Sequence, residues 1–127
     1  MELTVLPQEF SICCINGLGE LDWTCEFCFV AKTDRGLSLV CPTGDVPDGA
    51  LEREDGWRTF RIEGVQDFAM IGVLAEISFL LAEQGINIYA MSTCWTDYIM
   101  TKEEQFEPAL RALEEMGYLI TYWGQPG

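Results

Sequence analysis

Four cysteines near the start of the chain have the residue type, and part of the spacing, of a zinc site. They are the adjacent pair Cys13-Cys14 and the pair Cys25-x-x-Cys28, whose two-residue gap is common among zinc ligands. However, adjacent residues of a strand point to opposite faces, so Cys13 and Cys14 cannot both face one metal ion. Free cysteine is also often buried as a small apolar residue. The sequence therefore predicts buried thiols and no metal site, and the remaining two cysteines have no obvious partner.

The 21 acidic residues are the second group that could carry chemistry, as general acids and bases. The chain has no histidine, which removes the commonest base near neutral pH and the commonest metal ligand. It also lacks a phosphate-binding loop and a nucleophile beside a base. Glu103 and Glu104 fit the first turn of a helix, where the dipole stabilises negative charge. We expect a protein that is not an enzyme and has no catalytic residues and no cofactor.

The charge of the chain restricts its partners. The formal net charge is −14, and residues 1–63 and 64–127 contribute −7 each. Such a surface repels phosphate backbones and anionic lipids, so we expect no nucleic-acid and no membrane partner. The longest apolar run, residues 68–82, is shorter than the roughly 20 residues of a membrane span. Because the N-terminus does not resemble a signal peptide, we expect a soluble cytoplasmic protein with reduced cysteines.

A stretch rich in proline, glycine and charge divides the chain into two parts of similar size. Residues 42–56 hold two prolines, three glycines and six charged residues, and we interpret them as a surface connection. The predicted division is therefore an N-terminal half over 1–56 and a C-terminal domain over 57–127.

The C-terminal part has the clearer pattern of elements. Alternation predicts a strand over 57–63, and apolar periodicity a helix over 70–84 that Gly85 closes. The remaining predictions are strands over 86–92, 96–100 and 118–123 and a helix that opens with the capping box Thr101-x-x-Glu104. Pro108 requires the regular part of that helix to begin near Glu107. The order β-α-β-β-α-β predicts an α+β fold, a ferredoxin-like βαββαβ sandwich with two helices on a four-stranded antiparallel sheet.

The N-terminal part is a weaker copy of the same pattern. It predicts a strand over 10–15, a short helix or turn over 18–25, and a hairpin of strands 26–33 and 37–41. An internal repeat in tandem is therefore an expectation. The first helix of the C-terminal part is apolar nearly all round, with a narrow polar stripe at Glu76 and Glu83. Its outer side should pack on the N-terminal copy or on another subunit.

The residues around this helix resemble the ACT domain family. The resemblance rests on Gly64-Val65-Gln66-Asp67-Phe68, on Ile71-Gly72-Val73-Leu74-Ala75-Glu76-Ile77-Ser78, and on Leu81-Ala82-Glu83-Gln84-Gly85-Ile86-Asn87-Ile88. It covers residues 57–123. The segment Ser92-Thr93-Cys94-Trp95-Thr96-Asp97-Tyr98-Ile99-Met100 is similar to a narrower branch, small bacterial proteins with two ACT-like halves that are related to cytosolic arginine sensors. The resemblance implies a non-catalytic regulatory protein that binds an amino acid, with 1–56 as a degenerate ACT-like half and 57–127 as the ACT domain.

A site for an amino acid is physically reasonable in this pattern. The start of the helix offers free N–H groups and a positive dipole end to a carboxylate, and Gly72 allows close approach to the backbone. Two aspartates can pair with an ammonium or with a cationic side chain, and three hydroxyls can donate or accept. The candidate ligand-binding residues are Asp67, Phe68, Ile71, Gly72, Val73, Ser92, Thr93, Thr96 and Asp97.

Each of these positions also has a structural interpretation. Gly72 could serve close packing of the helix on a strand, Asp67 could cap the helix, and Thr96-Asp97 could be a turn pair. Trp95 is a candidate for a ligand or partner contact. The alternative function is an adaptor that has lost its ligand and only pairs proteins. In either case sheet edges and the apolar helix need cover, so we expect a homodimer; a monomer whose two halves pair internally is the alternative.

Overall fold

The computed structural model describes residues 2–63 and 69–124, without the side chains of 69–71. The strands and helices are β1 Glu2–Val5, β2 Phe10–Ile15, β3 Phe29–Thr33, β4 Gly36–Pro42, β5 Leu51–Glu63, α1 Ala69–Glu83, β6 Tyr89–Ser92, β7 Asp97–Lys102, α2 Glu103–Glu115 and β8 Leu119–Tyr122. They form two compact units. The smaller unit is Gln8–Trp57, and the larger one contains the described residues on either side of it. The first few residues of the chain thus belong with the C-terminal part, whereas the sequence places them in the N-terminal half.

The larger unit has the predicted β-α-β-β-α-β order, preceded by one additional strand, β1, and the predicted ferredoxin-like α+β fold. Its core lies between one face of the sheet and both helices, and it includes Phe60, Ile62 and Ile99 from the strands, Ile77 and Leu81 from α1, and Phe106 and Leu113 from α2. Apolar residues at alternate strand positions, and at three- and four-residue spacing in α2, produce this single buried layer.

The predicted four-stranded antiparallel sheet is wrong in two respects, because the described sheet of this unit has five strands and is mixed. In the larger unit the described strands follow the order β8-β1-β5-β7-β6, because β1 inserts between β5 and β8. Strand β1 pairs antiparallel with β5 and parallel with β8, which makes the sheet mixed. Leu3 and Val5 point into the core and are 0% and 2% exposed. Four residues are too few for alternation to identify a strand, so only the tertiary pairing reveals β1.

Helix α1 agrees with its prediction to within one residue at each end, and Gly85 follows it with a φ of +72°. Helix α2 differs. Thr101 belongs to β7 and is completely buried, so the predicted capping box does not form; the N-cap is Lys102, which makes no side-chain capping bond. The helix begins at Glu103, which places Pro108 inside it and not in its first turn. Its dense apolar face compensates for the one missing backbone donor.

The smaller unit consists of β3, β4, β2 and the first half of β5, in that order. The hairpin of β3 and β4 forms across Asp34-Arg35 as predicted. Two short 3-10 helices are present, at Leu18–Glu20 and Thr43–Asp45, and Gln8–Trp57 contains no α-helix. The predicted surface connection is only partly correct, because residues 51–56 belong to β5. These residues are mostly charged and exposed, which is typical of a loop, and their pairing with β2 is interrupted by bulges. The sequence pattern therefore did not reveal this part of the strand.

The outer side of α1 remains exposed in the chain. Gly72, Ala75 and Glu76 are exposed, and the Phe79 side chain is 65% exposed. Glu76 accepts a hydrogen bond from the hydroxyl of Tyr118, which precedes β8. Among the residues that the structure describes, no helix combines the length and the apolar character that crossing a bilayer requires.

Candidate functional site

The candidate site lies at one end of the sheet, where β5 ends and the β6–β7 hairpin turns. The hydroxyl of Thr96, in the turn, donates a hydrogen bond to the carbonyl of Ile62, the penultimate residue of β5. Helix α1 begins six residues after β5 ends. The end of β5 and the hairpin turn therefore meet at the same end of the sheet. In the sequence, a short connection then leads from β5 to α1.

Thr93 builds the turn of the hairpin. Its hydroxyl accepts hydrogen bonds from the N–H groups of Trp95 and Thr96, both at 3.2 Å, and donates to the carbonyl of Thr96 at 3.1 Å. Its own N–H donates to the same carbonyl at 2.9 Å. This local hydrogen bonding is typical of threonine in turns. The predicted turn pair Thr96-Asp97 is thus a turn over 93–96 followed by Asp97 as the first residue of β7.

Asp97 is a buried acidic residue at this end of the sheet. It is 6% exposed, and its Oδ1 accepts a hydrogen bond of 2.5 Å from the hydroxyl of Ser92, its partner in the register of β6 and β7. Ile99, two residues along β7, is part of the core beneath the helices, so Asp97 lies on the same face of β7, whereas Ser92 on the outer strand β6 is exposed. Within residues 2–63 and 69–124, no cation pairs with this carboxylate.

Gly72 lies near the start of α1 with open space around it. It is exposed, and a Cβ added there would meet no described atom within 4 Å. Among the described residues, none packs closely enough on Gly72 to require a glycine there. Val73 packs partly against the core. Helix α1 extends over 15 residues, so its start carries the positive end of a full helix dipole.

The structure thus brings Ser92, Thr93, Thr96 and Asp97 together in one hairpin. Asp67 and Phe68 lie outside the described residues, as does the side chain of Ile71. What the sequence interpretation missed is the burial of Asp97. The alternation of Asp97, Ile99 and Thr101 contained that signal, because Ile99 marks the core face and the other two share it.

The hairpin also carries an exposed aromatic side chain at its tip. Trp95 is 79% exposed, and Cys94 beside it is exposed as well. A large apolar surface held out by a well-ordered turn is suited to a contact with another molecule.

The cysteines of the smaller unit are not arranged as ligands of a zinc ion. Cys13 is buried and Cys14 is exposed, as alternation along β2 predicts. Cys41 is not isolated, because it lies near Cys13 in the core of this unit, and Cys28 packs against the same cluster. Burial, followed by the neighbouring thiols, raises the pKa of Cys41 to about 12. Within the described ranges no group of three or more such side chains has the geometry to hold a metal ion.

Comparisons with known proteins identify a matching family model and several solved structures of similar fold. The model of the ACT domain family matches residues 52–115, half of the chain. No curated protein matches it. A solved protein from Agobacterium tumefaciens has a TM-score of 0.84 at 22% identity, over 99% of this chain and 96% of the other. The aspartokinase alpha and beta subunits give 0.64 at 20% identity, over 90% and 91%. An allosteric aspartate kinase from Clostridium acetobutylicum gives 0.63 at 13% identity, over 85% of this chain and 33% of the enzyme. At these identities the structures show a shared fold.

Proposed function

The chain belongs to the ACT domain family, and from this premise we propose that it is a regulatory protein that binds an amino acid. ACT domains are regulatory and non-catalytic, and they typically bind small molecules. The proposal adds the ligand class and a location, the sheet edge formed by the end of β5, the start of α1 and the β6–β7 hairpin. No residue is proposed to catalyse a reaction.

The observation that carries the proposal is the buried carboxylate of Asp97. A buried charge is costly unless it is paired and fully hydrogen-bonded. Here a neutral hydroxyl, that of Ser92, is the donor, and no described cation approaches. An ammonium group, or a guanidinium on the side chain of the ligand, would supply the missing positive charge.

The start of α1 is suited to bind the carboxylate of such an amino acid. A carboxylate bound there would be stabilised by free N–H groups and by the helix dipole. No described side chain covers the backbone at Gly72, which is itself exposed. Together with Asp97, this arrangement offers a negative and a positive end to a zwitterion. Asp67, Phe68, Ile71, Val73, Ser92, Thr93 and Thr96 complete the proposed lining.

We further propose that the chain is one of the small proteins with two ACT-like halves. The degenerate half predicted over 1–56 would then have lost its helices and would contribute Glu2–Val5 to the sheet of the ACT domain predicted over 57–127. The similarity to the Agobacterium tumefaciens structure supports this assignment, since it extends over 99% of the chain and not over the matched domain alone. A ligand that prefers one arrangement of the halves would shift their populations by its difference in affinity. The proposed setting is a cytoplasmic homodimer, in keeping with six free cysteines.

A thermal-shift screen of the twenty amino acids tests the function. A sensor predicts at least one clear stabiliser, because a ligand at a hundred times its Kd adds about 2.7 kcal/mol to stability. A ligand-free adaptor predicts none. Asp97→Asn, which removes the charge but little volume, should weaken the binding of that amino acid about 10-fold or more. Asp34→Asn, in the exposed β3–β4 turn, is the matched control and should leave binding unchanged.

A further inference from the structure

A cavity of about 400 Å³ opens at one end of the sheet of the smaller unit. Its wall follows a row across four strands, because Ser38 pairs with both Ala31 and Cys14. Cys14 in turn pairs with Leu51. Directly opposed residues of a sheet present their side chains on the same face, so these four share one wall. The volume is in the range of small-molecule sites, and the described lining lies within Gln8–Trp57.

The cavity has a positive charge in a strongly acidic protein. None of the described residues that line it is acidic, although the chain has 21 acidic residues, and Arg35 is part of the lining. Arg35 forms no ion pair with a carboxylate of the described residues. Its N–H donates a hydrogen bond of 3.1 Å to the hydroxyl of Thr33, which orders the turn at the rim. Another cavity of the same unit has the opposite character, since its lining includes Glu20, Asp22, Asp45 and Asp48.

A bulge in β5 keeps a carboxylate out of the cavity wall. Glu54 lies opposite Ile12, and Leu51 lies opposite Cys14. Strand β5 therefore uses three residues where β2 uses two, whereas a regular ladder would place Glu52 opposite Cys14. Glu52 instead has a φ of +48°, which is unfavourable for a residue with a Cβ. The strained residue thus brings the apolar side chain of Leu51 to a position that a negative charge would otherwise occupy.

These features define the chemistry of a ligand. A guanidinium without an ion pair can bind a carboxylate through two parallel hydrogen bonds. The apolar side chains of Ala31 and Leu51 suit a short hydrocarbon chain. An ammonium group would meet no described carboxylate in the lining, which disfavours an amino acid. We propose that this cavity binds a small aliphatic carboxylate, with Arg35 holding its charged end. The site belongs to the smaller unit and does not depend on the proposed amino-acid site of the larger unit.

The exposed thiol of Cys14 allows the charge preference of the cavity to be measured in the wild-type chain. Its thiolate attacks one sulfur of a symmetric disulfide reagent, and the other half of the reagent leaves as a thiolate. Timed peptide mass spectrometry compares dithiodipropionate, a dianion, with cystamine, a dication. The ratio of the two rates cancels the intrinsic reactivity of the thiol. It should be about 10-fold larger at Cys14 than at the exposed Cys94 of the larger unit, and equal ratios would overturn the proposal.

Two substitutions in one hairpin separate a site from a diffuse effect of charge. Arg35→Gln should remove the preference of Cys14 for the dianion, and it keeps the backbone N–H that bonds to Thr33. Lys32→Gln is the matched control, because it makes the same change of charge one residue from Ala31 but on the other face of β3. The preference should survive in that variant. An equal loss in both variants would overturn the proposal.

Reversible binding is tested with hexanoate by two-dimensional amide NMR of the full chain. Hexanoate should shift the signals of Gly36 and Ser38 saturably, and hexanol and hexylammonium should bind about 10-fold more weakly or less. Leu51→Glu places a carboxylate in the wall and should abolish the shifts, whereas Phe79→Glu, at an exposed position of α1, should not. Asp97→Asn should leave hexanoate binding unchanged, so this test fails or succeeds separately from the amino-acid site. Absence of saturable shifts, or equal binding of hexanol, would overturn the proposal.

Discussion

The hydroxyl of Ser92 donates a hydrogen bond of 2.5 Å to the buried Oδ1 of Asp97, directly across the β6–β7 hairpin. Asp97 is buried at the end of the hairpin whose turn contacts the end of β5, whereas Ser92 itself is exposed. The short bond orients the carboxylate but does not neutralise it. This pair is therefore both a structural element of the hairpin and the most specific part of the proposed ligand site.

Ser92→Ala should destabilise the protein. It removes the hydroxyl donor of a buried charge, and an unsatisfied buried group costs about 1–3 kcal/mol. Urea unfolding of the variant and of wild-type protein measures the difference. Ser92→Thr keeps the hydroxyl and serves as the control. A loss well below the ~1 kcal/mol net value of a typical hydrogen bond would contradict this role of Ser92.

Gly72→Ala should separate folding from ligand binding. The added methyl group meets no described atom within 4 Å, and alanine is a better helix former than glycine by up to about 1 kcal/mol. We therefore expect a melting temperature equal to or above that of wild type. Binding of the stabilising amino acid should nevertheless weaken, because the methyl group blocks the backbone. Unchanged affinity in the thermal-shift titration would place the ligand elsewhere.

Cys41 should make stability sensitive to alkaline pH. Its thiol ionises at an ordinary pKa of 9.0 in the unfolded chain but at about 12 in the fold, chiefly because it is buried. Only the unfolded state releases the proton between these values. The contribution of Cys41, complete below pH 9, is therefore lost as the pH rises toward 12. Denaturant titrations at pH 8 and pH 11 should show a larger fall for wild type than for Cys41→Ala; equal falls would contradict the assignment.

The same burial predicts an order of alkylation. Cys14 and Cys94 are exposed, so iodoacetamide should modify them first, whereas Cys41 should react only after unfolding. Peptide mass spectrometry after timed alkylation shows the order. Early modification of Cys41 would mean that the core of the smaller unit opens readily.

Tyr118 should remain protonated when other phenols would ionise. Burial, and then the hydrogen bond to Glu76, raise the pKa of Tyr118 well above its ordinary value of 10. The difference in phenolate absorbance between wild type and Tyr118→Phe should show no ionisation of this residue near pH 10. Glu76→Gln should lower its titration midpoint, since the negative charge is removed. A midpoint that does not move would exclude the contact between α1 and Tyr118.

The features that could be predicted from the sequence are those that depend on neighbouring residues. The order of elements, the bounds of α1, strand β2 and the Asp34-Arg35 hairpin were all evident, because periodicity and turn residues act over a few neighbouring positions. Strand β1 was missed because it is short, and the first half of β5 because its charged residues resemble a loop. The capping box at Thr101 was wrong because β7 extends through that residue.

By itself, the sequence determined the family of the chain, its βαββαβ order and its acidic, histidine-free chemistry, since these depend on residue types and on their spacing. Only the tertiary structure decided that β1 separates β5 from β8, that Cys41 lies beside Cys13, and that Asp97 is buried. Those facts depend on which distant segments pack together. Packing over long separations is set by the summed burial of the whole chain, which no local pattern contains.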